Sequence, residues 1–158
     1  MMERTAPFVR LGDELRTNGI PSDVLRQAEA ENEWFTEESV RQAADAIASA
    51  MLTSPLLEEW LAPYPPEMLR GKRIGIVMAG NIPMVGFADL LAVLAAGGEA
   101  WVKYSSKDRV LMEWLAGRLQ SYGGCSIHPF RPGEGTPPDA VIATGSDNAL
   151  RYFRSIFA

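Results

Sequence analysis

The chain has 158 residues, 22% of them charged and 47% hydrophobic, with a net charge of −5, one cysteine and one histidine. That length buries a core without disulfides or metals. The single cysteine forbids an internal disulfide, and Cys125 with His128 is too small a set for a structural zinc site, so no metal is expected. The acidic balance lacks the clustered basic face that binds nucleic acid. No apolar run reaches the roughly 18 residues a membrane span needs, and residues 1–11 lack the apolar region of a secretory signal. A soluble protein of the reducing cytoplasm is the expectation.

The chain divides near Arg70 into a helical segment, 1–69, and an α/β segment, 70–158. Leu11, Leu15, Ile20, Val24, Leu25 and Ala28 mark one or two short helices, interrupted at Gly19-Ile20-Pro21, with Ser22 as a candidate N-cap. Thr36 caps a clearer helix with Glu37 and Glu38 in its first turn, where the dipole favours anions. Its apolar stripe is Val40, Ala43, Ala44, Ile47, Ala50 and Met51. Pro55 can open another helix, with Leu56, Leu57, Trp60 and Leu61 inward, which Pro63, Pro65 and Pro66 stop.

From Lys72 strands alternate with helices. The β-branched apolar run over 74–79 predicts a strand buried on both faces. A turn at Gly80-Asn81-Ile82-Pro83 precedes a helix over 84–96, closed by Gly97-Gly98. Residues 100–104 read as the second strand. Ser105 or Ser106 can cap a helix over 107–122, with Val110, Leu111, Trp114, Leu115 and Leu119 inward. A weaker strand over 126–130, a Pro/Gly-rich loop, a fourth strand over 140–143 and a last helix over 147–157 follow. The pattern predicts an α/β fold with a doubly wound, mainly parallel, Rossmann-like sheet. Trp34, Trp60, Trp101 and Trp114 read as core.

Ligands of open α/β sheets bind beyond the carboxyl ends of the strands. Three polar segments fall there: Gly80-Asn81, 103–108, and Thr144-Gly145-Ser146. Helix N-termini at such points suit a phosphate. Neither a G-x-G-x-x-G fingerprint nor a Walker A loop is present, so composition and periodicity stop at a phosphate or nucleotide site.

The stretch GIVMAGNIPMVGFADLLAVLAAGGEAWVKYSSKD (75–108), together with ENEWFT (31–36) and VIATGSDN (141–148), resembles the LuxC-type acyl-CoA reductases of the aldehyde dehydrogenase superfamily. The resemblance runs from about Leu11 onward. It implies NADP(H)-dependent reduction of an acyl-CoA or other acyl thioester to an aldehyde, through a cysteine-bound acyl intermediate.

Carried over by position, Asn81 matches the superfamily's oxyanion asparagine, whose amide donates to the thioester oxygen as charge develops. Its structural alternative is an Asn that tolerates an unusual turn and caps the helix at Pro83. Lys103 matches the lysine that contacts the adenosine ribose or its 2′-phosphate. Many NAD-using relatives carry an acidic residue three positions later, where this chain has Ser106 followed by Lys107. A carboxylate repels a 2′-phosphate and Ser with Lys accommodates one, which points to NADP(H). Ser105 and Ser106 can cap the helix as well. Gly145 and Ser146 match the loop on the cofactor's pyrophosphate, or form an ordinary turn with a Ser cap.

Cys125 is not expected to be the nucleophile, because the family's cysteine comes tens of residues after the Thr-Gly-Ser loop, beyond Ala158. The resemblance therefore implies that this chain supplies the cofactor-binding portion, with a strand edge that favours a homo-oligomer. The alternative is a non-catalytic nucleotide-binding or oligomerising module of the same fold.

Overall fold

The computed structural model describes residues 2–145, 151, 152, 154 and 155. Four helices come first: α1 (Met2–Thr17), α2 (Ser22–Glu31), α3 (Glu37–Met51) and α4 (Ser54–Leu61). Then follow β1 (Arg73–Val77), α5 (Phe87–Ala95), β2 (Glu99–Lys103), α6 (Arg109–Tyr122), β3 (Ile127–Pro129) and β4 (Ala140–Ala143). Of the helix expected over 147–157, residues 151, 152, 154 and 155 are helical and the others lie outside the described residues.

α1 is longer than its sequence signals, running through Pro7 so that Phe8, Leu11 and Leu15 form one buried row. Pro21, not Ser22, occupies the N-cap of α2, and Ser22 is its first helical residue. Thr36 caps α3 as its sequence predicts, its hydroxyl accepting the Ser39 N–H at 3.2 Å. On that helix Ala48 takes the core place expected of Ala50, which is exposed. In α4 only Leu57 and Leu61 turn inward; Leu56 and Trp60 are exposed, because neighbours one residue apart point about 100° from each other.

The sheet order is β3-β2-β1-β4 and every pair is parallel. β1 is central, which explains its apolar run: it pairs on both edges and both of its faces are covered. Period-two alternation sends Ile74, Ile76, Ala100, Val102 and Ile127 to one face, where they join a single core with residues of all six helices. α1 packs on α3, α4, α5 and α6, and α2 on α3 and α6, so the helical segment meets the α/β segment through α5 and α6, of which α5 lies on β1 and β2. Fully burying a side chain such as Phe87 or Leu111 in this core contributes roughly 1.5–3 kcal/mol.

The other face carries Gly75, Val77, Trp101, His128, Phe130, Val141 and Ala143. On this face the β3–β4 connection brings Phe130 and Pro138 against Gly75. A Cβ at position 75 would stand 2.8 Å from the Phe130 ring and 3.2 Å from Pro138. Trp101 is half-buried between the Arg73 guanidinium, 4.3 Å from its ring centroid, and the His128 ring, stacked at 4.5 Å. No helix among the described residues is long and apolar enough to cross a membrane.

Candidate functional site at the carboxyl edge of the sheet

The sheet order places strands on both sides of β1, so the chain leaves β1 for β2 on one side and reaches β4 on the other. That reversal is the topological switch point at which open α/β sheets bind ligands. Three loops meet its carboxyl edge: 78–86 after β1, 104–108 after β2, and Thr144-Gly145 after β4. Backbone bonds hold them together. The Met78 N–H donates to the Lys103 carbonyl at 3.1 Å, and the Thr144 N–H to the Val77 carbonyl at 3.0 Å.

The loop after β1 differs from its sequence expectation. The helix begins at Phe87 with Gly86 as N-cap, three residues later than the 84–96 reading, and 81–86 is a turn region. Met84 sits in the left-handed region with φ 59°, a conformation that costs a non-glycine residue about 1 kcal/mol or more. Two contacts hold it. Its side chain is buried, and its N–H donates to Asp108 Oδ2 at 2.7 Å. Gly80 packs so closely on the neighbouring loop that a Cβ there would stand 2.7 Å from Ser105 Cβ and 3.0 Å from Lys107 Cβ.

Asn81 is exposed at the tip of this turn, and its side chain has no hydrogen-bond partner among the described residues. It does not cap α5, whose N-cap is Gly86, and its φ is not positive. The capping alternative for Asn81 is therefore overturned.

On the second loop Lys103 is exposed at the end of β2, and Ser106 and Lys107 are exposed beyond it. Neither lysine has an ion-pair partner among the described residues. Ser105 is half-buried, its hydroxyl accepting the Lys107 N–H at 3.2 Å and shaping the turn. Neither serine caps the helix, because α6 begins at Arg109 with Asp108 in the N-cap position. Position 106 carries a hydroxyl and no carboxylate. Gly145 lies exposed at the end of β4 on the same edge, and Ser146 lies outside the described residues.

Asp108 was not among the residues the sequence singled out. It is 2% exposed, with Oδ2 on the Met84 N–H and Oδ1 buried without a partner. Burial pushes its pKa up to about 7, against the lowering effect of the Met84 hydrogen bond. The available signal was an Asp immediately before a helical apolar pattern, which reads as a cap for its own helix. It bonds to a different loop, and only the tertiary approach reveals that.

Cys125 precedes β3, at the amino edge of the sheet and opposite the loops just described. Burial pushes its thiol up to about 11, which keeps it protonated near neutral pH. His128 does not serve it, since its Nε2 lies 2.8 Å from the Ser126 hydroxyl and its ring stacks on Trp101. A cleft of about 330 Å³ lined by Arg73, Trp101, Arg131 and Glu134 opens on the second face of the sheet, away from Asn81 and Lys103. Trp34 and Trp60, expected in the core, are 83% and 42% exposed.

No protein-family model matches the chain, and no curated protein sequence matches it.

Proposed function

We propose that this chain is the cofactor-binding portion of an NADP(H)-dependent acyl-thioester reductase, of the LuxC type within the aldehyde dehydrogenase superfamily. The observation that carries the reading is Asn81. It is exposed, unbonded and caps no helix at the carboxyl end of the central strand, which suits a donor kept for a ligand. NADPH supplies the hydride when bound. Lys103 and Lys107 hold the 2′-phosphate with help from the Ser106 hydroxyl, and the Gly145 and Ser146 segment lies against the pyrophosphate. The Asn81 amide donates to the acyl oxygen, where negative charge develops as the carbonyl carbon is attacked. Cys125 is not the nucleophile in this reading, on its protonation and on its position at the opposite edge.

The test is titration of the chain with NADPH and NADH, repeated on Lys103→Ala. Tighter NADPH binding that depends on Lys103 supports the reading. Equal affinity for both, independent of Lys103, overturns it.

The second sheet face favours a further reading, an assembly module. Trp101, Val141 and Ala143 are only half-buried there, and a half-covered apolar face favours self-association. Sedimentation decides it: a stable monomer at tens of micromolar counts against assembly.

A further inference from the structure

The segment 81–86 is pinned at both ends. Before it, a Cβ on Gly80 would stand 2.7 Å from Ser105 Cβ and 3.0 Å from Lys107 Cβ. At its end, a Cβ on Gly86 would stand 2.6 Å from the Met78 sulfur. Between these points the tip is in water, with Asn81 exposed and Ile82 54% exposed. Met84 brings the segment down onto the start of α6, through its buried side chain and the N–H it donates to Asp108 Oδ2 at 2.7 Å. Its φ of 59° is a conformation that persists in a non-glycine residue only where surrounding contacts impose it.

Asp108 makes that contact with one oxygen only. The residue is 2% exposed, and Oδ1 is buried with no partner. Protonated, the group buries a neutral hydroxyl there. Ionised, it buries a charge with neither water nor a cation on Oδ1, which is far costlier. Residues 78–86 contain no titratable side chain. The charged residues lining the small cleft beside Asp108 are Glu31 of α2, Lys107 and Arg109. Arg109 is committed to Glu31 at 2.7 Å and to Glu113 at 3.0 Å. Tyr104, half-buried on the same loop, stays neutral, pushed up to about 12 by burial and by Glu113. Burial, against the Met84 hydrogen bond, accordingly sets the raised pKa of Asp108.

We propose that Asp108 is a proton-operated latch on the loop after β1: protonated, it holds the Met84 N–H and the loop is shut; ionised, it draws in water and the segment 81–86 lifts off the start of α6. The pinned glycines confine the opening to the stretch that carries Asn81, so the latch decides how that side chain is presented. The inference goes beyond the ligand reading above and does not depend on what Asn81 meets. Opening is favoured as pH rises from the ordinary carboxyl value of 3.8 to about 7 and levels off above that.

The experiment is native-state amide hydrogen exchange of the full chain, corrected for the intrinsic rate, from pH 5 to pH 8 with and without dilute urea, on wild type, Asp108→Asn and Glu31→Gln. The reference is the Ala100 amide, which donates to the Ser126 carbonyl at 2.9 Å inside the sheet. In wild type the protection of the Met84 amide should fall about tenfold per pH unit between about pH 5 and pH 7. It should stay below that of Ala100 and not respond to dilute urea, as a local opening does not. Asp108→Asn should flatten the pH profile, and Glu31→Gln should keep it. Three results overturn the latch: Met84 protection independent of pH in wild type, a urea response equal to that of Ala100, or a wild-type profile retained in Asp108→Asn. The first two are read on the wild-type protein and decide the matter even where Asp108→Asn folds poorly.

Discussion

The carboxylate of Asp108 accepts the Met84 N–H at 2.7 Å and so ties the loop leaving β1 to the start of α6. The bond fixes a left-handed residue three positions from Asn81, and the second carboxylate oxygen is buried with no partner. A carboxyl group placed like this is easier to bury protonated than ionised, which is why its pKa rises to about 7.

The sign of the pH dependence follows. The folded pKa of Asp108 lies above its unfolded value of 3.8, so its favourable contribution is complete below about pH 4 and is lost as pH rises to about 7. Asp108→Asn, which stays neutral, should therefore gain stability relative to wild type between pH 5 and pH 8, by at most about 4 kcal/mol. Urea denaturation of both proteins across that range is the measurement. A pH-independent difference would mean that Asp108 does not titrate there. Asp108→Ala should cost about 1–3 kcal/mol, because it strands the Met84 N–H.

Asn81→Ala should leave the urea midpoint within the scatter of a surface change, about 0.5 kcal/mol, and leave nucleotide affinity unchanged. A destabilisation above 1 kcal/mol would reveal a structural task for the side chain.

Ser106→Glu should place a carboxylate beside Lys103 and Lys107. NADPH affinity should fall about tenfold or more while NADH affinity holds or improves. Titration of both nucleotides on the one variant reads the ratio directly, and an unchanged ratio would remove Ser106 from the 2′-phosphate site.

Gly80→Ala should destabilise by about 1–3 kcal/mol, since its methyl group meets Ser105 and Lys107. Ser105→Gly in the same chain should recover part of the loss, as a double-mutant cycle would measure. Additive effects would show that the two loops do not press on each other.

Cys125 should react slowly with thiol reagents at pH 8 and faster as the pH approaches 11, because burial holds the thiol protonated. A rate at pH 8 equal to that of a free thiol would contradict the burial.

Element type was legible where a local rule ruled. The Thr36 cap and Gly97 at φ 84° after α5 are set within a few residues, the apolar run of β1 is readable from its own composition, and the chain folds as they indicate. The helix after β1 was misplaced because its apolar pattern runs through 84–86, while the turn there is held by Asp108 from another element. The tryptophans were misread for a similar reason: a hydrophobic side chain is a core candidate by type, and which ones find a neighbour depends on how α2, α3 and α4 meet the rest.

By itself the sequence determined an α/β chain with a central buried strand, polar loops at strand ends, and lysines rather than a carboxylate after the second strand. Local propensity and hydrophobic period carry that information. Only the tertiary structure decided that Asn81 caps no helix, that Asp108 is a buried tie, and that the turn bearing Trp34 lies against the Lys107 loop. Each of those is a contact, or the absence of one, between segments distant in the chain, and no spacing rule reaches across that separation.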